Sequence, residues 1–280
     1  IVIDNTTALR PTVIADPACA GTVTGLEVDG TDIFVSYTSE GVGTPGGYEH
    51  YSTANPELLI TREIASEGIL DIAVYGTSLW MLGVSGTPYY YMGADSPEYI
   101  SEAVAPIPGA FEIECSGGMA TVLSQTDAPV TSTLSGVDGV MPTIPYVHDF
   151  VTSKVGDEAI VLSGDVAYVA GSYGLRTLDI TSPGTPVELD LLDVGEAHDV
   201  VLYGDTAYVA VGSSFVVVDV ADPAALAEVT THAGASSIMR LAAGDGVLFA
   251  ATDDGLEVFD VSPPSVSTAR IDTHPTSQPA

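Results

Sequence analysis

"GDVAYVAGSYGLRTLDITSPGTPVEL" at 164–189 is the stretch that decides how this chain folds. Forty residues later stands "GDTAYVAVGSSFVVVDVADPAALAEV" at 204–229, and forty further on "GDGVLFAATDDGLEVFDVSPPSVSTA" at 244–269. Each copy runs through a turn, an apolar strand, a glycine-containing turn, a strand ending in Asp and a Pro-containing turn. Self-similarity at this period marks a repeat architecture. Four short strands per about 40–45 residues is the size of one β-propeller blade.

The pattern extends toward the N-terminus. Gly204-Asp205 aligns with Gly164-Asp165 and Gly244-Asp245, and more loosely with Gly30-Thr31, Gly76-Thr77 and Gly117-Gly118. A hydrophobic strand follows each turn, among them "DIFVSY" (32–37), "SLWMLG" (78–83) and "VAYVAG" (166–171), and another precedes it, such as "ILDIAVY" (69–75) and "AFEIEC" (110–115). These are continuous apolar runs, as expected of strands buried on both faces. The expectation is an all-β propeller of four-stranded blades over 1–271. The blades are 24–68, 69–109, 110–158, 159–197, 198–236 and 237–271, with a half blade at 1–23 and a flexible tail at 272–280. Residues 1–21 superpose on 216–235, with Asp4 matching Asp219, and so supply only third and fourth strands. Because Ile1 opens in mid-strand, a seven-bladed propeller whose first blade is incomplete in this chain is favoured. A six-bladed ring closed partly by the N-terminal strands, hiding sheet edges, is the alternative.

The segments "GLRTLDI" (174–180), "SFVVVDV" (214–220), "GLEVFDV" (255–261) and "IVID" (1–4) resemble the LVIVD repeat family. The resemblance is strong over 159–271 and the N-terminal half unit and weak over 24–158. It implies propeller blades in an extracytoplasmic or cell-surface protein. It carries no catalytic set.

Composition bounds the function. Against 38 acidic residues stand six basic ones, giving a net charge of −32, with Lys154 the single lysine. Such a surface repels nucleic acid and anionic lipid, which are held through Lys and Arg contacts to phosphate. The acidity fits a saline or exported setting. No apolar stretch reaches the ~20 residues that span a bilayer. Cys115 falls in the innermost strand of its blade and Cys19 in a loop two units away, too distant for the roughly 7 Å that a disulfide allows. Both are expected as buried free thiols.

Most chemical motifs read as structure. "GVGTPG" (41–46) matches G-x-G-x-x-G but lies between two strands, without the helix a dinucleotide site needs, and is expected as a loop. His50, His148, His198, His232 and His274 are dispersed, with no metal-ligand spacing. "NTT" (5–7) is a glycosylation acceptor pattern only in a eukaryotic secretory setting.

One constellation carries a sharper hypothesis. Asp199 aligns with Gly25, Asp71, Glu112, Ala159 and Met239 at the start of the innermost strands. Asp71, Glu112 and Asp199 are therefore expected near one mouth of the channel, where converging carboxylates would suit Ca²⁺. The competing expectation is that each accepts local backbone N–H bonds at its strand start and ties its own blade together. A binding face is expected on the loops entering first strands and joining second to third strands, with Tyr37, Tyr48, Asp253 and Asp254 as candidates and Trp80 and Tyr89 adding aromatic surface. Long loops are expected at 38–47 and near 135–144. The leading function is a non-catalytic binding or scaffolding propeller, secreted or at the cell surface, with a protein or other surface ligand as partner. The alternatives are a Ca²⁺-dependent hydrolase or lactonase and a purely structural module of a larger surface protein.

Overall fold

The computed structural model describes residues 2–4, 12–15, 21–29, 32–39, 45–52, 55–65, 67–75, 78–92, 98–102, 106–116, 119–126, 131–138, 146–151, 156–182, 185–244, 246–261 and 270–275. Among them every regular element is a strand, and no helix is long and apolar enough to cross a membrane. The strands form six four-stranded antiparallel sheets and one two-stranded sheet.

Sheet 1 holds Thr22–Asp29, Asp32–Thr38, Gly46–Ser52 and Asn55–Ile64. Sheet 2 holds Ile69–Tyr75, Ser78–Gly83, Pro88–Met92 and Glu98–Glu102. Sheet 3 holds Ala110–Ser116, Met119–Thr126, Thr131–Asp138 and Tyr146–Val151. Sheet 4 holds Asp157–Ser163, Val166–Gly171, Gly174–Asp179 and Val187–Leu192. Sheet 5 holds Asp199–Tyr203, Thr206–Val211, Ser214–Asp219 and Ala227–Ala233. Sheet 6 holds Ile238–Gly244, Val247–Thr252, Gly255–Asp260 and Arg270–Pro275. In each, strands follow one another in chain order, the meander of a propeller blade. Val2–Asp4 and Thr12–Ala15 pair with each other, as the half unit requires.

Two compact units emerge. One comprises Ile1–Val2, Val13–Val155 and Thr181–Pro186, and so contains sheets 1 to 3. The other comprises Ile3–Thr12, Gly156–Ile180 and Val187–Ala280, and contains sheets 4 to 6. In the first unit, Phe34 and Tyr48 of sheet 1 pack with Ile72, Val74 and Met81 of sheet 2, and Trp80 and Tyr90 of sheet 2 pack with Ile113 and Val122 of sheet 3. In the second, Tyr168 and Leu175 of sheet 4 meet Val200 and Val209 of sheet 5, while Tyr208 and Phe215 of sheet 5 meet Leu248 and Phe259 of sheet 6. The second strand is covered on both faces: Ala167, Tyr168, Val169 and Ala170 are all buried. That is why these segments read as unbroken apolar runs.

Two-residue turns join first to second strands. Gly164 and Gly204 take φ of +59° and +60°, the left-handed conformation that glycine adopts without a Cβ clash. Sheet 6 corrects the sequence alignment by one residue. Its turn falls between the paired Gly244 and Val247, and Gly246, not Gly244, takes a positive φ of +76°. Arg240 pairs with Ala251 as Asp199 pairs with Ala210, so Arg240 and not Met239 is the counterpart of Asp199.

Other boundaries shift too. The expected tail at 272–280 overlaps the fourth strand of sheet 6, because Asp272, Thr273, His274 and Pro275 pair with the third strand. Of the long loop expected near 135–144, residues 135–138 belong to the third strand of sheet 3, and 139–144 lie outside the described residues. Residues 40–44 of the loop expected at 38–47, and with them most of the "GVGTPG" motif, lie outside the described residues, as do Cys19, Asn5 and Lys154. Cys115 is a buried free thiol.

Candidate functional site

Two of the aligned carboxylates, Asp71 and Asp199, serve as ties between neighbouring sheets. The first strand of sheet 2 lies between those of sheets 1 and 3, and a bulge after Ile69 turns Asp71 toward sheet 3. There its Oδ2 accepts the N–H of Ile113 at 2.9 Å. Asp199 repeats the contact in the other unit, its Oδ2 accepting the N–H of Leu241 at 2.6 Å. Both recipients stand one residue beyond the carboxylate's own counterpart in the next sheet, Glu112 and Arg240. Asp71 and Asp199 thus accept backbone N–H bonds, but from the neighbouring sheet 42 residues on rather than within their own strand starts, as the local-bonding expectation had it. Asp71 and Glu112 belong to one compact unit and Asp199 to the other. Among the described residues, no group of three or more His, Cys, Asp or Glu side chains is placed to hold a metal ion.

Burial pushes the Asp199 carboxyl up to about 6, against the opposing pull of the Leu241 N–H and the Arg240 guanidinium. Beside it, His198 Nδ1 lies 2.7 Å from Glu158 Oε2, a half-buried pair joining sheets 4 and 5 at equivalent repeat positions.

The first unit concentrates negative charge on its first strands. Glu27 of sheet 1 and Glu114 of sheet 3 occupy equivalent positions, two residues beyond Gly25 and Glu112, with Asp71 between them on sheet 2. Glu27 is pushed up to about 7 by burial first, then by Asp71 and Asp29. Glu114 lies well above the usual carboxylate range through burial, then Glu27, Asp71 and Glu112, with the N–H of Cys115 pulling the other way. Burial first, then Glu114, Glu27 and Asp29, push the Cys115 thiol up strongly. Gly25 makes room for Asp71: a Cβ there would stand 2.6 Å from Asp71 Oδ1 and 2.8 Å from Ser36 Oγ.

A second set of polar ties holds the turns at one end of the sheets. The turn between second and third strands bonds the segment entering the first strand of its own sheet: Val84 N–H donates to Gly68 O at 2.9 Å and Ser172 N–H to Gly156 O at 2.8 Å. It also accepts from the next sheet's entering segment, as in Ala197 N–H to Gly171 O at 3.0 Å and Ile238 N–H to Gly212 O at 2.8 Å. Buried or half-buried side chains reinforce this frame. Glu67 accepts from the Tyr89 hydroxyl at 2.6 Å, and from Ser85 N and Oγ at 2.8 and 2.7 Å. Glu257 Oε1 accepts from Ala235 N at 2.9 Å. Arg176 pairs with Asp157, both buried. Tyr89, Arg176 and Glu257 sit at one repeat position in the third strand, paired with Met81, Val169 and Ala250. Sequence reading missed these ties, although a charged residue in "GLRTLD" and "GLEVFD" where "SFVVVD" has Val216 was the available signal.

The candidate binding-face residues divide. Asp253 and Asp254 are exposed on the turn of sheet 6, as is Tyr173 on the equivalent turn of sheet 4; in the other unit Val84 is exposed on that of sheet 2. Tyr37 and Tyr48 are core instead, as are Trp80 and Tyr89. Their strands are covered on both faces, so an aromatic ring there fills the space between sheets and presents no surface.

Residues 158–193 and 194–233 match the LVIVD repeat family. This chain carries LVIVD repeats. They coincide with sheets 4 and 5. No curated protein matches the chain. Among solved structures, a functionally unknown protein from Desulfotomaculum acetoxidans DSM 771 is similar at a TM-score of 0.72 and 15% identity, over 91% of this chain and 86% of that one. Kluyveromyces lactis Hsv2 is similar at 0.62 and 14% identity, over 88% and 76%. A chain of a nidogen–laminin complex is similar at 0.55 and 14%, over 79% and 84%. At these identities the likeness shows the fold, a β-propeller of small four-stranded sheets.

Proposed function

We propose that this LVIVD-repeat propeller is a non-catalytic binding or scaffolding module working outside the cytoplasm, secreted or at the cell surface. One observation carries the reading. The polar side chains Asp71 and Asp199, which sequence pattern offers as chemistry, and with them Glu67, Arg176 and Glu257, are engaged in holding strands and turns in place. What the second unit presents to solvent includes short turns carrying Tyr173, Asp253 and Asp254. Rigidly held turns are where binding residues concentrate, because little ordering entropy remains to be lost on contact. The placement outside the cytoplasm is supported by the net charge of −32 and by the LVIVD repeats. We read the N-terminal strand pair as third and fourth strands of a seventh blade, beside the six four-stranded sheets.

The test compares the intact protein with a Tyr173→Ala/Asp253→Asn/Asp254→Asn variant, each immobilised and exposed to the same extracellular extract. The reading expects a specific partner retained by the intact protein and lost by the variant. Hydrolysis of an aryl ester or a lactone by the intact protein, abolished by Asp71→Asn or Asp199→Asn, would overturn it.

A further inference from the structure

The fourth strands of sheets 1, 2, 4, 5 and 6 are all broken at one point. Their register with the third strand skips Ile60, Ile100, Leu189, Val229 and Ile271 in turn. In sheet 5, Val217 pairs with Thr230 and Val218 with Glu228, so Val229 is one residue too many for the ladder, a β-bulge. The residue after each skipped one pairs with the third-strand partner of a second-strand aromatic: Phe34, Trp80, Tyr168, Tyr208 or Phe249. The bulge thus recurs at one repeat position, in line with an aromatic column. Sheet 3 has Thr121 in that column, and its fourth strand pairs without interruption over Tyr146–Val151.

Among the described residues, these fourth strands pair only with the third strand of their own sheet, so each is a sheet edge. An edge is a template for any other strand, and proteins blunt it with lysine, proline, charge or a bulge. Lysine is not used here, since Lys154 is the only one and lies in none of these strands. Glu98, Glu102, Glu188, Asp190 and Glu228 charge three of the edges. In 1 M salt, however, exposed charges are screened beyond about 3 Å. A bulge works at any salt, because it puts the N–H and C=O groups on its two sides out of step. It leaves 230–233 as the longest run in register in sheet 5 and 190–192 in sheet 4. Both are shorter than the roughly six residues of a cross-β segment. The residue set aside is Ile or Val except at Leu189, the types that favour strand pairing. Ile60 and Val229 stand 47% and 54% exposed.

We infer that the fourth-strand bulge is a device that keeps the outer edges of sheets 1, 2, 4, 5 and 6 from pairing with a second copy of this chain where salt removes the repulsion between copies. At low salt the net charge of −32 already holds copies apart. The inference covers those five edges and is independent of the turn face proposed above.

Deleting Val229 joins Glu228 directly to Thr230 and leaves every existing pair of that ladder in place, which straightens the edge without removing a bond from the sheet. Deleting Leu189 does the same in sheet 4. The whole protein and both deletion variants are compared by sedimentation velocity in about 1 M NaCl, where the charge is screened, alongside thermal melts. Each deletion variant is expected to melt cooperatively and to self-associate at least about tenfold more tightly than the parent, which corresponds to about 1.4 kcal/mol. Val229→Asp keeps the bulge and removes only its apolar side chain, so it stays as monomeric as the parent. Deletion variants that fold and sediment like the parent overturn the inference. Association by Val229→Asp as strong as that of the deletion overturns it too, since the backbone offset would then guard nothing. Loss of cooperative melting in both deletions also counts against it, because the bulge would then be a requirement of the blade itself and not a guard of its edge.

Discussion

Replacing Glu27 by Gln stabilises this protein at neutral pH, and the gain vanishes in acid. The ordinary carboxyl value is 4.5, and in the folded protein burial, Asp71 and Asp29 raise it to about 7. Ionising Glu27 therefore costs the folded state more than the unfolded one. Stability is full below the ordinary value, falls as pH rises, and levels off above about 7. At about 1.4 kcal/mol per pKa unit, the displacement corresponds to about 3 kcal/mol at pH 8. Gln keeps the size and carries no charge, so it escapes that penalty and also relieves the load on Glu114, whose carboxyl is raised partly by Glu27. Urea unfolding followed by far-UV circular dichroism at about pH 8 and about pH 4 checks this, with the wild-type and variant midpoints converging in acid. A variant no more stable than wild type at the higher pH, or a gain of equal size at both, would show that Glu27 is not held in a charge-hostile site and would refute the reasoning.

Three further outcomes follow from the ties between sheets. Asp199→Ala leaves the Leu241 N–H without its acceptor and lowers stability by about 1–3 kcal/mol, whereas Asp199→Asn keeps an acceptor and equals or exceeds wild type above pH 6, as read by thermal melts across pH. Gly25→Ala drives a methyl into Asp71 Oδ1 and Ser36 Oγ and costs about 1–3 kcal/mol; hydrogen exchange at the Ile113 amide rises with it, and an unchanged rate would mean that Asp71 needs no such space. Excess Ca²⁺ leaves the melting temperature of wild type and of Asp71→Asn/Asp199→Asn equally unmoved, because these carboxylates bond backbone N–H groups; a rise confined to wild type would reveal a cation bound only to the folded state.

The repeat could be read from sequence because its determinants are local. A glycine in a two-residue turn, an apolar strand and a recurrent interval are each written within one blade, and "AYVA" at 167–170 and 207–210 announces a strand covered on both faces. Where local signals are ambiguous the reading slipped. "GDG" at 244–246 offers two glycines for one left-handed position, and only strand pairing picks Gly246 and moves the Asp199 counterpart from Met239 to Arg240. The fourth strand at Arg270–Pro275 was hidden by its threonine, histidine and proline, since an outer strand needs few apolar residues.

Side-chain fate belonged to the tertiary structure. Sequence placed Asp71 and Asp199 at equivalent strand starts, yet which lone pair meets which N–H depends on a bulge and on the neighbouring sheet 42 residues away. The same holds for aromatics: Tyr37 and Tyr48 flank a loop in sequence, and only the packing of sheets shows that both lie in the core. Val23, Leu26 and Val28 are the converse, apolar in pattern yet about half exposed in the folded chain. Period and turn chemistry act within a few residues of chain, so one sequence determines them. Burial, charge load and hydrogen-bond partners are sums over neighbours brought together by folding, and those sums are fixed by structure alone.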